Sequence, residues 1–157
     1  MNRTRSSVAT GTGRARGIGV HGPPSSPRYA PGMSNLIDIV DAPLLRVWGD
    51  AVRARRIQGE QITLAIVELE PHAIVPEHRH EAEQLGMVIT GEMHFTLDGE
   101  TRVLGPGGTW RITANRPHGV AAGPAGAVVV DVFTPIRSDW DRLEVIEGET
   151  PRWPTAG

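Results

Sequence analysis

His78-Arg79-His80-Glu81-Ala82-Glu83-Gln84, running on through Leu85-Gly86-Met87-Val88-Ile89-Thr90 to Gly91, is the stretch that decides the fold. In an extended chain, side chains two apart point to the same face, so the imidazoles of His78 and His80 are expected together with Arg79 opposite. Gln84 stands four residues after His80, where a short turn through Glu81-Ala82-Glu83 hands over to an apolar strand. A barrel interior can bring that amide beside the two rings. Alone, an H-x-H pair is equally compatible with two surface histidines, so the rest of the chain has to support the reading.

Short strands surround this centre on both sides. Ile62 to Leu69 reads as a strand with a buried middle, and Met93-His94-Phe95-Thr96-Leu97 alternates apolar with polar. Asp98-Gly99 then supplies the chemistry of a tight hairpin before Thr101 to Leu104 returns. Pro106-Gly107-Gly108 marks a loop, Thr109 to Ile112 a further strand, Val120 the start of another, and Gly126 to Phe133 is rich in valine. This spacing, with no convincing amphipathic helix between strands, predicts an all-β sandwich or barrel. Ala42 to Ala51 is expected as a short helix at its edge. The tail after Trp140 is weakly patterned and is expected to wrap the outside or fray.

With 157 residues and 39% hydrophobic content the chain suffices for one domain with a core. No apolar run is long enough to cross a bilayer, so a soluble, cytoplasmic protein without a membrane partner is expected. Cysteine is absent, which excludes disulfides and thiolate metal sites and leaves imidazole nitrogen and oxygen as ligands. Lysine is absent too. The net charge of −2 hides an uneven split: residues 1–32 carry five arginines and no acid, while residues 33–157 hold 11 arginines against 18 acids. An acidic folded part argues against nucleic acid as the partner.

Residues 1–32 are Ser, Gly, Pro, Arg and Thr with almost no large apolar side chains, a basic arm expected to be disordered ahead of a domain over 33–157. The arm reads either as an organelle transit peptide or, the preferred alternative, as the product of an upstream start codon with Met33 opening the domain. Gly11-Thr12-Gly13-Arg14-Ala15-Arg16-Gly17 is a near miss to a dinucleotide fingerprint, rejected because no strand precedes it and no helix follows.

His118, behind Asn115-Arg116-Pro117, completes a spaced set with His78, His80, Gln84, Gly91, Pro106 and Gly107. Three neutral imidazoles and one amide oxygen suit one divalent transition ion: nickel, zinc, iron or manganese. The set resembles the two motifs of the cupin superfamily over about residues 60–136. Gln84 stands at the usual glutamate, His72 at the leading glycine, and Thr113 where a proline often stands. The resemblance implies a jelly-roll barrel and, as in small cupins generally, a homodimer paired through edge strands.

Asp131-Val132-Phe133-Thr134-Pro135-Ile136-Arg137, with glutamine as fourth ligand, is similar to the small cupins related to the pectin-degradation protein KdgF. That resemblance implies one divalent metal on His78, His80, Gln84 and His118, with Asp131, Phe133 and Arg137 as the catalytic-site residues. The activity it implies is ring opening of 4,5-unsaturated uronates to the linear keto acid. Asp131 would act as general acid or base, and Arg137 would clamp the carboxylate of a small anionic sugar acid. An iron-dependent oxygenase and a non-catalytic metabolite-binding module are the alternatives. His94 is expected to face solvent and His72 to be structural; Trp110 and Met87 could line the pocket, with a core role preferred for each.

Overall fold

The computed structural model describes residues 35–147 and 150–154. The basic arm 1–32, the glycine-rich decoy within it, His21 and Met33 lie outside the described residues. Nine strands follow in order: β1 (Leu44–Trp48), β2 (Val52–Gln58), β3 (Thr63–Leu69), β4 (Ile74–His78), β5 (Glu83–Leu97), β6 (Glu100–Leu104), β7 (Thr109–Ile112), β8 (His118–Thr134) and β9 (Val145–Ile146). Two short 3₁₀ turns, Ile39–Asp41 and Ser138–Arg142, complete the described elements.

Strands β5 and β8, of 15 and 17 residues, pair antiparallel along their length and form the spine. The first half of β5 also pairs with β7 and its second half with β6. The first half of β8 pairs with β4 and its second half with β3, beyond which the sheet continues through β2, β1 and β9. The spine therefore belongs to two sheets and bends between them. Register shifts at Val88/Thr90 and Gly91/Met93 mark the corner. Gly91 (φ 78°) and Gly126 (φ 70°) face each other there, and a Cβ on Gly91 would lie 2.0 Å from the Gly126 carbonyl oxygen. Only glycine permits that approach.

The result is an all-β barrel, as the spacing of the strands predicts, of the jelly-roll type that the resemblance to cupins implies. It is not closed by hydrogen bonds, since β6 and β9 remain as ends of the strand order. Inward residues of the spine and its neighbours build one core, with Val52, Ala54, Val67, Leu69, Met93 and Val129 among its buried members. Asp98 and Gly99 both take positive φ in the β5–β6 hairpin, as their turn chemistry requires.

One expectation needs correction. Ala42 to Ala51 is no helix: Leu44–Trp48 is strand β1, paired with β2 on one side and β9 on the other. The tail after Trp140 wraps the outside, the first of its two expected courses, with β9 added to the sheet at β1. His94 is exposed while Met93 and Phe95 are buried, in the expected alternation. His72 takes φ 60°, the left-handed conformation that suits the glycine usual at this place in the motif.

Candidate metal centre

Strand register brings the site together on the inner face. His78 closes β4 and opposes His118, the first residue of β8. His80 lies two residues past the end of β4, so the strand parity expected for the H-x-H pair gives way to a turn. Its ring nevertheless packs at 4.9 Å from that of His118, which is 4.2 Å from that of His78 (centroid distances). One ring nitrogen from each of the three histidines lies within 4.8 Å of the others.

Each ring is fixed through Nδ1. His78 Nδ1 donates to the Pro76 carbonyl at 2.9 Å, His80 Nδ1 to Ala82 at 2.7 Å, and His118 Nδ1 to Arg116 at 2.8 Å. A carbonyl only accepts, so the proton sits on Nδ1 and the lone pair on Nε2 in every case. Burial pushes the His118 imidazole from 6.5 down to about 4, and the charges of His78, His80 and Arg137 push the same way against the Arg116 carbonyl. Burial, then Arg137, lowers His80 as well. The neutral ring, the form that ligates, is thereby favoured.

Gln84, buried at the start of β5, is oriented by its neighbour: Nε2 donates to Asp131 Oδ1 at 2.7 Å and turns Oε1 towards His80 Nε2, 3.0 Å away. With the His80 proton on Nδ1, that approach sets two lone pairs face to face. A cation among Gln84 Oε1 and the three Nε2 atoms would satisfy all four. The residues present fit a borderline divalent ion on three nitrogens and an oxygen.

Asp131 sits on β8 directly across from Gly86 on β5, which in turn opposes Trp110 on β7. Trp110 Nε1 donates to Asp131 Oδ1 at 3.1 Å, so both donors to this carboxyl meet one oxygen. The contact passes over Gly86, where a Cβ would lie 2.3 Å from the indole and 2.4 Å from Oδ1. Burial raises the Asp131 carboxyl from 3.8 to about 7, against the two hydrogen bonds and the charge of Arg137. Trp110 is buried in the core, as expected, and also lines the cavity, whereas Met87 is 41% exposed and is not a core residue. A glycine in mid-strand is the signal that could have disclosed this approach.

Phe133, 2% exposed, meets the His80 ring edge-on at 5.7 Å and the Trp140 ring at 5.5 Å. Arg137 lies over both aromatic faces, 4.8 Å from each centroid. Its guanidinium is already forked on Asp139, with Nε to Oδ1 at 3.0 Å and Nη2 to Oδ2 at 2.8 Å. The residue expected to clamp a ligand carboxylate therefore holds one of the protein's own. One cavity of about 100 Å³ is lined by His78, Gln84, His118, Asp131, Phe133 and Arg137 together with apolar side chains.

Residues 65–133 match the family model of the cupin domain. The pectin degradation protein KdgF of Dickeya dadantii (strain 3937) is 29% identical over 94 residues, 59% of this chain and 86% of that protein. The structure of KdgF from Halomonas sp. superposes with a TM-score of 0.57 at 26% identity, covering 60% of this chain and 88% of the other. The polyketide cyclase RemF from Streptomyces resistomycificus gives the same TM-score, 0.57, and 26% identity over 66% of this chain and 80% of its own. An RmlC-like cupin from Shewanella frigidimarina NCIMB 400 reaches 0.63 at 21% identity over 68% of this chain and 96% of the other, a likeness of fold.

Proposed function

We propose that this protein, a cupin by its fold and by the domain match over residues 65–133, is a metal-dependent enzyme that moves a proton on a small oxygen-bearing metabolite. The observation that carries this reading is the adjacency of two devices. Three imidazoles are locked with Nε2 bare, and beside them stands a buried carboxyl held near neutrality. A divalent ion at His78, His80, Gln84 and His118 would supply Lewis acidity towards a substrate oxygen.

The protein's own groups do the remainder. Asp131, with Gln84 and Trp110 both on Oδ1, keeps Oδ2 without a protein donor among the described residues and so available to a ligand proton. A carboxyl near pH 7 can both take and return a proton, which isomerase and lyase chemistry require. Phe133 and Trp140 wall the site and limit water around Asp131. The walls set the reacting group against the carboxyl and leave little room for a competing nucleophile.

Ring opening of a 4,5-unsaturated uronate is the narrow form of this reading. The likeness to KdgF supports it, as does the presence of Asp131 and Phe133 at the cavity. At Arg137 the Nε–Nη2 face is taken by Asp139, which leaves the Nη1 side to meet a ligand carboxylate. The equal likeness to a polyketide cyclase leaves the substrate undecided on similarity, so the reaction class is the conclusion retained.

The test is turnover of an unsaturated uronate by metal-loaded wild-type protein and by Asp131→Asn, followed by NMR in deuterated solvent. Deuterium entering carbon with wild type, and its loss with Asp131→Asn at unchanged metal content, supports the whole reading. Equal turnover by both proteins would remove Asp131 from the mechanism. No turnover by either would remove the uronate.

A further inference from the structure

The cavity is chemically two-sided. Strand pairing across β3, β8, β5 and β7 stacks inward residues in successive rows. Phe133 and Gln84 share one row, and Asp131, Gly86 and Trp110 share the next. The row after that is Val67, Val129 and Val88, and beyond it stand Leu69 and Ala127. Val67, Val129 and Leu69 line the same cavity as the histidines, and so do Val52, Met93 and Phe95 from neighbouring strands. The chemistry is confined to one end, and the floor is made of valine, leucine, methionine and phenylalanine.

Each strongly polar side chain on that lining has at least one partner within the protein, which leaves Asp131 Oδ2 and the Nη1 side of Arg137 for a ligand at the same end of the cavity. His78, His118 and Gln84 belong to the proposed metal centre, Asp131 accepts two hydrogen bonds on Oδ1, and Arg137 is forked on Asp139 through Nε and Nη2. Beyond them the lining side chains with any polar atom are the tryptophans Trp48, Trp110 and Trp140, whose indole N–H donates and cannot accept. A ligand carrying hydroxyls on every carbon would leave most of them unpaired against the floor, at a cost in affinity.

We infer that the substrate of this site carries its chelating oxygens at one end and an apolar body, aryl or branched alkyl, at the other, the body lying on the Val67–Val129 floor. The inference rests on the reading that a ligand is held at the metal centre. It goes beyond that reading by excluding fully hydroxylated sugar acids as the preferred class. The specificity-determining residues are Val67 and Val129. Neither approaches the reacting end, and both meet the part of the ligand that distinguishes one oxygen chelator from another.

The experiment uses nickel-loaded full-length protein and titrates calorimetrically three 2-hydroxy acids, lactate, 2-hydroxyisovalerate and mandelate, together with galacturonate, whose ring oxygen stands beside its carboxylate, as hydroxylated probe. The tighter of 2-hydroxyisovalerate and mandelate is expected to exceed both lactate and galacturonate by about tenfold, the effect of burying one or two further methylene groups. Val67→Thr, which keeps the shape and adds a hydroxyl, is expected to shrink that ratio severalfold while nickel content stays at the wild-type level. Galacturonate binding as tightly as the apolar probes overturns the inference, as does an unchanged ratio in Val67→Thr with its fold intact by circular dichroism. Probes that bind metal-stripped protein as tightly as loaded protein overturn the underlying reading instead.

Discussion

Trp110 and Asp131 meet across a strand that separates them: the indole Nε1 reaches Oδ1 at 3.1 Å over Gly86, which contributes no side chain. The bare glycine, the indole donor and the buried carboxyl form one unit. Changing any one of them should be felt by the others.

Gly86→Ala places a methyl group 2.3 Å from the indole and 2.4 Å from Oδ1, so the three strands must part or Trp110 must leave. Overpacking of this kind costs about 1–3 kcal/mol. Urea unfolding should show that loss, with turnover falling further than stability alone explains. Wild-type stability in Gly86→Ala would mean that Trp110 and Asp131 are not held against this strand.

The burial of Asp131 makes a signed prediction for pH. Its folded value, about 7, lies above the ordinary 3.8, so the folded state keeps a proton that the unfolded chain releases. The resulting stabilisation is complete below about 3.8 and is lost as pH rises through about 7. His118 works in the opposite direction. Burial lowers it from 6.5 to about 4, so its contribution is present above 6.5 and is lost as pH falls towards 4. Asp131→Asn deletes the first effect and keeps the second. In chelator-treated protein the variant should gain on wild type across this window by up to ~4 kcal/mol. Parallel pH profiles for the two proteins would contradict the buried, protonated carboxyl.

Gln84→Glu exchanges an amide for a charge at the proposed metal centre and removes the donor to Asp131 Oδ1. Metal affinity should rise by at least about tenfold in competition with a chelating indicator. Turnover should fall, because two carboxyl groups now face one another and Asp131 holds its proton more tightly. Unchanged or weaker metal binding would remove Gln84 from the ligand set.

Asp139→Ala frees the Arg137 fork, which lines the cavity and is now occupied. Simple carboxylates should then bind metal-loaded protein about tenfold more tightly, the worth of one charge-assisted hydrogen bond. Equal affinity in variant and wild type would show that Arg137 does not reach the ligand.

What the sequence discloses and what it hides follow the range of the interactions. The Asp98-Gly99 turn and the strand Thr109–Ile112 are legible because their chemistry is local. Leu44 to Trp48 is misread as helix because a short apolar run carries no decisive period; pairing with β2 and β9 makes it a strand. His78, His80, Gln84 and His118 are legible as a spaced set, and the register joining β4 to β8 then brings the outer two together. The contact of Trp110 with Asp131 and that of Asp139 with Arg137 escape notice. One acts across two strand pairings, and the other acts through a 3₁₀ turn that folds it back on Arg137. Nothing local announces either contact.

The central claim is that His78, His80, Gln84 and His118 hold one divalent ion, and elemental analysis of the purified protein tests it most directly. The account predicts about one transition-metal ion per chain in wild-type protein, and near zero in His118→Ala that still folds by circular dichroism. Wild-type protein free of metal after incubation with nickel, zinc, iron and manganese in turn would contradict it, leaving the three histidines as a structural cluster.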